Sequence, residues 1–192
     1  FLDKCSNVTV SGNTVTGTNV AFPPLQSTGG IYIWAGNSNK IKENCLADNY
    51  IGIVIGYNTE RNIVSNNNIT NNTRGIVVWE ASNNTIYHNN FVKNTVNVLD
   101  TGANSSAYYA SVNSWDNGSE GNYWSDYTGK DDDGNGLGDI PYNVDENNQD
   151  NFPLTETAII PEFPSGALLA VVLVALMAVA FTYRGNLDKR NP

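Results

Sequence analysis

Apolar and polar residues alternate in short runs along the first half of the chain, and these runs recur. The pattern Asn-x-aliphatic-x-x-Asn-x-apolar occurs as NKIKENCL from Asn39, NIVSNNNI from Asn62 and NTIYHNNF from Asn84, with an earlier partial copy, VTVSGNTV, from Val8. A Gly-Ile-x-aliphatic run precedes each full copy, and its glycines are 22 and 23 residues apart. Strand-length alternation broken by Asn and Gly at this period predicts a solenoid in which each repeat is one coil.

Stacked coils place equivalent residues above one another at an inter-strand spacing of about 4.8 Å, so the sequence predicts columns of side chains. Two columns are apolar and face inward: Val10, Ile41, Val64 and Ile86 in one, and Val15, Leu46, Ile69 and Phe91 in the other. A third column contains Asn13, Asn44, Asn67 and Asn89. We expect it at a corner, because Asn tolerates a left-handed backbone and its amide bonds to the next in a ladder. The prediction is an all-β, right-handed, single-stranded parallel β-helix, since no 3.6-residue period occurs before the C-terminal region.

The repeats resemble the NosD-like and carbohydrate-binding/sugar-hydrolase β-helix domains over about residues 5 to 154. The segment from Asn113 to Leu154, which contains GNYWSDY, an Asp-rich loop and DIPY, is similar to a module that follows such repeats in archaeal surface proteins. This resemblance implies an extracellular β-helix protein. NosD is tied to copper-site maturation, but we do not carry that role over, because one histidine (His88) and one methionine (Met177) make no copper-ligand cluster.

The chain divides into five predicted segments. They are β-helix repeats at residues 1–110, a capping module at 111–154, a linker at 155–165, a transmembrane helix at 166–183 and a basic tail at 184–192. Because the first residue is Phe1 and lies inside a repeat, we expect a fragment or a processed product that lacks its N-terminal coils and signal peptide.

Residues 166–183 carry no charge and are just long enough to cross a bilayer as a helix. Basic residues follow them, which places the C-terminus in the cytoplasm and residues 1–165 on the extracellular face of the cell membrane. The sequence IPEFP, from Ile160, resembles the PEF-type C-terminal sorting signal of archaea. That resemblance implies a membrane protease as a partner, which cuts near the motif; a plain retained anchor is the alternative.

The net charge of −9 arises mainly from residues 111–165, which carry 12 acidic side chains and one basic one. This balance argues against nucleic acid as a partner, because nucleic-acid binding needs clustered Lys and Arg. An external location also fits six predicted glycosylation sequons, of which we favour Asn68: Asn7, Asn68, Asn71, Asn83, Asn104 and Asn117. Cys5 and Cys45 are expected to be two thiols, with a disulfide as the alternative.

The Asp-rich loop DDDGNGLGD places oxygen-bearing residues at every second position, with glycines where the backbone turns. This spacing is typical of loops that wrap one Ca²⁺, so the sequence predicts a structural calcium site. Its predicted ligands are Asp131, Asp133, Asn135, Leu137 through its carbonyl, Asp139 and Asp145. Position 12 of the loop is Tyr142 rather than Glu, so the bidentate ligand has to come from elsewhere, either Asp145 or Asp150. A solvated acidic loop is the alternative.

Aromatic residues surround this loop, and an exposed solenoid end needs a cap. We expect six of them to pack on the last coil: Trp115, Tyr123, Trp124, Tyr127, Tyr142 and Phe152.

An outward-facing column suggests a ligand platform. In the Gly-Ile-x-aliphatic strands, Trp34, Gly56 and Trp79 occupy the same position, and Tyr32 lies two residues from Trp34 on the same face. Two indoles two coils apart should lie near 9–10 Å from each other across a glycine gap. Because flat aromatic faces stack on sugar rings, Tyr32, Trp34 and Trp79 are predicted glycan-binding residues. The alternative is that a loop such as Ala21 to Ser27, or the C-terminal module, covers the tryptophans.

No catalytic residue is predicted in this segment. The carboxylates of the repeats do not share an outward column in adjacent coils, as glycosidases require: Asp3, Glu43, Asp48, Glu60, Glu80 and Asp100. We expect His88 to be a solvated surface side chain. The sequence therefore favours binding or structural display at the cell surface, with surface glycans as partners. Two alternatives stay open: a polysaccharide-degrading enzyme with its catalytic coils outside this segment, and a structural spacer.

Overall fold

The computed structural model describes residues 1–18, 29–101 and 110–160. These three ranges contain sixteen β-strands, and no helix in them is long and apolar enough to cross a membrane. The strands are β1 Leu2–Asp3, β2 Thr9–Ser11, β3 Thr14–Thr16, β4 Gly29–Trp34, β5 Lys40–Lys42, β6 Cys45–Ala47, β7 Ile51–Ile55, β8 Ile63–Ser65, β9 Asn68–Thr70, β10 Arg74–Val78, β11 Thr85–Tyr87, β12 Asn90–Val92, β13 Val96–Asp100, β14 Tyr123–Trp124, β15 Tyr142–Asn143 and β16 Gln149–Asp150. The predicted transmembrane helix, the basic tail and the PEF motif from Pro161 lie outside the described residues.

Three parallel sheets form a β-solenoid of about three turns. Sheet 1 has the order β1-β4-β7-β10-β13, sheet 2 the order β2-β5-β8-β11, and sheet 3 the order β3-β6-β9-β12-β14. One strand from each sheet, taken in chain order, makes one turn. The predicted parallel β-helix is therefore confirmed as an all-β parallel solenoid.

The predicted apolar columns are confirmed. In sheet 2, Ile41 pairs with Val10 on one side and Val64 on the other, and in sheet 3 Leu46 pairs with Val15 and Ile69. The core members of these columns are fully buried, whereas Val10 and Val15 in the first coil are half-buried. Alternation along each short strand thus sends one side chain into the core and its two neighbours outward.

The Asn column is also confirmed, and its amides form the expected ladder. Asn67 Oδ1 accepts hydrogen bonds from both the backbone N–H and Nδ2 of Asn44, at 3.0 and 2.9 Å, and Asn67 Nδ2 donates to Asn89 Oδ1 at 2.9 Å. The expected left-handed backbone at these asparagines is wrong. The left-handed residue is the one before each of them, with φ of 57° at Glu43 and 54° at Asn66. That residue turns the chain, so the following Asn keeps an ordinary φ while its amide points into the bend.

The first Asn of each repeat forms a second ladder, which was not predicted from the repeat pattern. It runs through Asn39, Asn62, Asn84, Asn113 and Asn148. A third ladder, at the bend before sheet 1, runs through Asn49, Asn72 and Asn94. The solenoid therefore has a hydrogen-bonded Asn column at each of its three bends.

The predicted aromatic cap is confirmed where it meets the last coil. Trp124 stacks on Phe91 with ring centroids 4.3 Å apart, and Tyr142 stacks on the other side of Trp124 at 4.2 Å. Trp115 and Tyr127 join the same core, while Tyr123 and Phe152 are half-buried. Residues of the capping module also extend two sheets, since Tyr123 pairs with Asn90 in sheet 3 and Ser114 bridges Thr85 of sheet 2. The coils and the cap accordingly make one compact unit, Phe1–Ile160.

Candidate functional site

Two tryptophans meet on the outer face of sheet 1. The pairing of Ile33 with Ile55, and of Ile55 with Val78, puts Trp34, Gly56 and Trp79 in register, as predicted. The predicted separation of 9–10 Å is wrong, because the indole centroids lie 5.5 Å apart at an interplanar angle of 76°. Trp34 leans over Gly56, where a Cβ would come within 2.5 Å of the Trp34 ring. The glycine thus provides the space that lets Trp34 reach the edge of Trp79.

Tyr32 packs against Trp34 on the same strand. Its side chain is only 5% exposed, and its ring stacks between Phe1 at 4.7 Å and Trp34 at 6.0 Å. Burial, together with the charge of Asp3, raises the pKa of Tyr32 to about 12. Tyr32, which the sequence suggested as a glycan contact, therefore has little surface to offer a ligand and acts by holding Trp34 in place.

Tyr57 joins the cluster from the turn after β7, and sequence reasoning missed it. Its ring lies 5.9 Å from that of Trp34 at 36°, and the side chain is 51% exposed. A groove of about 260 Å³ opens beside it, lined by Tyr57, Asn58, Glu80, Ser82 and Ala110. The signal lay in the sequence, because an aromatic residue directly after Gly56 is next to the tryptophan column. We call Trp34, Tyr57, Trp79 and this groove the aromatic groove.

Two segments were predicted as possible covers for the tryptophans, the loop Ala21 to Ser27 and the C-terminal module. The loop lies outside the described residues. The aromatic rings of the capping module pack on Phe91 at the end of the core. Both Trp34 and Trp79 are half-buried.

The Asp-rich loop closes around one carboxylate. Asp131 accepts hydrogen bonds from the backbone N–H groups of Gly134, Asn135 and Gly136, at 2.7 to 3.0 Å. These bonds, with that from Gly136 the strongest, lower the pKa of Asp131. Both glycines have a left-handed backbone, with φ of 73° at Gly134 and 87° at Gly136, which is the reason glycine is needed there.

The other predicted calcium ligands of the loop also make short-range bonds. Asp133 accepts from Asn135, Asn135 Oδ1 accepts from the N–H of Leu137, and Asp139 accepts from the N–H of Asp132. Residues 1–18, 29–101 and 110–160 contain no group of three His, Cys, Asp or Glu side chains placed to hold a metal ion. The calcium site stays a prediction.

Asp145 and Asp150, the two candidates for the bidentate ligand, lie at the ends of Asn ladders. Both oxygens of Asp145 lie 2.8 Å from Nδ2 of Asn148, the last Asn of the second ladder. Asp150 is fully buried and ends the ladder that passes through Asn89 and Asn122, accepting from the Asn122 N–H at 2.7 Å. A carboxylate suits a ladder end, because it accepts from the preceding amide and has no donor group that would need another acceptor.

Asp150 binds two further donors of the cap. Its Oδ2 accepts from Trp124 Nε1 at 2.9 Å, and its Oδ1 accepts from the Phe152 N–H at 3.1 Å. Burial raises the pKa of Asp150 despite these hydrogen bonds, which act in the opposite direction.

His88 has a partner that sequence reasoning missed. Its Nε2 lies 2.6 Å from Glu120 Oε2, in a pair that is exposed at the surface, where His88 was expected. The pair lines an open groove of about 690 Å³ between the bend of the last coil, the Asp-rich loop and residues 154–159. Glu120 comes from a non-repeating loop, so no repeat pattern places it beside His88.

The sequons differ in exposure. Asn7, Asn71, Asn83 and Asn117 are exposed. Asn68, the favoured acceptor, is half-buried and its Oδ1 accepts from Asn90 Nδ2 at 2.7 Å, so the other four are more accessible. Asn104 lies outside the described residues. Cys5 and Cys45 are thiols, as expected.

Comparison with known families decides the assignment. Residues 1–129 match the family described as Periplasmic copper-binding protein (NosD). The chain belongs to the NosD family. Neither the curated proteins nor the solved structures contain a match to this NosD-family chain.

The family's description names copper, but the described residues of this chain do not form a copper-binding site. Copper prefers imidazole, thiolate and thioether ligands. The single imidazole is paired with Glu120, and the Cys5 thiol donates to the carbonyl of Asp3. Cys45 lies in sheet 3, where its backbone pairs with Thr14 and Asn68. His88 lies at the bend between β11 and β12. The soft ligands of the described ranges therefore do not converge, and no copper chemistry is derived for them.

Proposed function

We propose that this NosD-family solenoid is the outward-facing part of a membrane-anchored surface protein and binds glycans through the aromatic groove. The observation that carries the proposal is the contact of Trp34, Tyr57 and Trp79 beside a groove of about 260 Å³. Aromatic faces bury the apolar face of a sugar ring with little loss of conformational freedom.

The groove combines the two kinds of group that sugar binding needs. Tyr57 offers an exposed ring, and Asn58, Glu80 and Ser82 offer hydrogen-bonding groups on the groove wall. The ring of Trp34 packs against the rings of Tyr32 and Trp79. Such packing fixes the aromatic surface before a ligand arrives, which lowers the entropy cost of binding.

The external location rests on the sequence. It is supported by the uncharged residues 166–183, the basic residues after them and the exposed sequons. We propose that the PEF motif directs processing by a sorting protease. We also propose that the Asp-rich loop holds one structural Ca²⁺, with these predicted ligands: Asp131, Asp133, Asn135, the Leu137 carbonyl, Asp139 and Asp145.

The test is retention of the full 192-residue chain on immobilised cellulose, β-mannan, β-galactan and chitin, with soluble products measured in the same samples. We expect retention on at least one polymer without release of oligosaccharides. Tyr57→Ala should weaken it about tenfold, because one stacked ring is worth roughly 1–1.5 kcal/mol. Tyr87→Ala is the matched control, since Tyr87 lies in sheet 2, outside the aromatic groove.

Three results contradict the proposal in different ways. Released oligosaccharides would favour the enzyme alternative. No retention on any polymer would favour the structural spacer. Equal retention of Tyr57→Ala and the parent would move the binding surface away from the aromatic groove.

A further inference from the structure

We infer that Glu80 restricts the aromatic groove to glycans without carboxylate or sulfate groups; this inference rests on the proposed function. The groove is lined by Tyr57, Asn58, Glu80, Ser82 and Ala110. Glu80 is the single acidic side chain in that set, and the set contains no Lys, Arg or His. The groove thus presents one carboxylate and no cation to a ligand.

The backbone fixes the position of Glu80. It directly follows Trp79 and has a left-handed backbone with φ of 49°. Its carbonyl accepts a hydrogen bond from the Asn58 N–H at 3.2 Å, which joins the two turns that form the groove wall. The backbone of Glu80 is therefore fixed at a hydrogen-bonded turn, from which its side chain lines the groove.

No cation neutralises Glu80 within the described ranges. The ion pairs there join Lys42 to Glu43, Arg61 to Glu60 and His88 to Glu120. A carboxylate without a paired cation repels a second anion over a few ångströms, and it also accepts hydrogen bonds from sugar hydroxyls. At a surface site, one such repulsion lowers affinity by about five- to tenfold.

The experiment compares polymers that share a backbone and differ in acidic groups. The pairs are β-mannan with poly-mannuronate, galactan with polygalacturonate, and hydroxyethylcellulose with carboxymethylcellulose. Affinities of the full chain are measured by affinity electrophoresis for the parent and for Glu80→Gln. We expect the parent to favour the neutral member about five- to tenfold, and Glu80→Gln to remove most of this preference by raising the affinity for the acidic member.

Glu43→Gln is the matched control, because it removes the same charge at another left-handed bend residue. It should keep the parent's preference. Raising the salt from 20 mM to 0.5 M should reduce the preference of the parent but not of Glu80→Gln, since screening weakens only the electrostatic part.

The outcomes separate the inference from the proposed function. Equal affinity of the parent for both members of a pair would overturn the role of Glu80 and leave glycan binding intact. An unchanged preference in Glu80→Gln would do the same. Failure of the parent to bind either member of every pair would overturn both.

Discussion

The asparagine amide is the side chain that holds successive coils together at their bends. It has both an acceptor and two donors, so it bonds to the coil before and the coil after through a single group. Asn67 accepts from Asn44 and donates to Asn89, and its Nδ2 also donates to the Ile41 carbonyl at 2.9 Å. Fully buried at 0% exposure, this amide stands where the turning backbone leaves its own polar groups without strand partners.

Replacing Asn67 should therefore be costly. We expect Asn67→Ala to lower the free energy of unfolding by about 3 kcal/mol or more, because buried donors of Asn44 and the carbonyl of Ile41 lose their partner. Thermal or urea unfolding, followed by circular dichroism, measures the loss.

Asn13→Ala is the control, since Asn13 belongs to the same ladder but is exposed. Its cost should stay below about 1 kcal/mol. Equal costs for the two variants would mean that burial of the ladder does not determine its contribution.

Among the elements of the structure, the Asp-rich loop brings four carboxylates into residues 131–139. Its acidic side chains repel one another, and Asp131 is held by three backbone N–H groups rather than by a basic side chain. A divalent cation bound by the loop would offset this repulsion.

If the loop takes Ca²⁺, calcium should raise the melting temperature. We expect the parent to melt at a higher temperature in 1 mM calcium than in EDTA, by an amount set by calcium concentration relative to the dissociation constant; a hundredfold excess corresponds to about 2.7 kcal/mol. Asp133→Asn should abolish this rise and leave the melting temperature in EDTA unchanged, since it keeps an acceptor for Asn135. A parent that melts identically in calcium and EDTA would refute the calcium prediction.

The repeating elements could be predicted from the sequence because each position occurs several times. Ile41, Leu46 and Asn44 each have equivalents one repeat away, and the period alone places them in columns. The site was harder to predict, since the approach of Trp34 to Trp79 depends on how one indole leans over Gly56. The partnership of His88 with Glu120 joins a repeat to a loop that has no copy elsewhere, so no internal comparison reveals it.

At the scale of the whole molecule, the coils and the cap share one core and one set of ladders. The ring stack runs from Phe91 through Trp124 to Tyr142, and the central Asn ladder passes through Asn122 to Asp150. Asp150 joins these two systems, because it binds both Asn122 and Trp124. A change in the charge of Asp150 should therefore change the stability of the entire unit.

The pH dependence of stability tests this role. Burial raises the pKa of Asp150 above its ordinary value of 3.8, so the folded state binds a proton more readily than the unfolded state does. Its contribution is fully present below 3.8 and is lost as the pH rises through the folded pKa. The pKa of Asp131 is lowered, so its contribution is fully present above 3.8 and is lost only as the pH falls below that value, outside this window.

We expect the difference in melting temperature, parent minus Asp150→Asn, to decrease as the pH is raised from 4 to 7. The variant lacks the titrating group, so the difference between the two curves isolates the contribution of Asp150. Glu146→Gln is the control, because it removes a charge from an exposed residue of the same module and should follow the parent. Parallel curves for the parent and Asp150→Asn would mean that the hydrogen bonds from Asn122, Trp124 and Phe152 offset the burial of the carboxylate in full. In that case Asp150 would hold the ladder end at every pH in this range, and the stability of the whole unit would not respond to its ionisation.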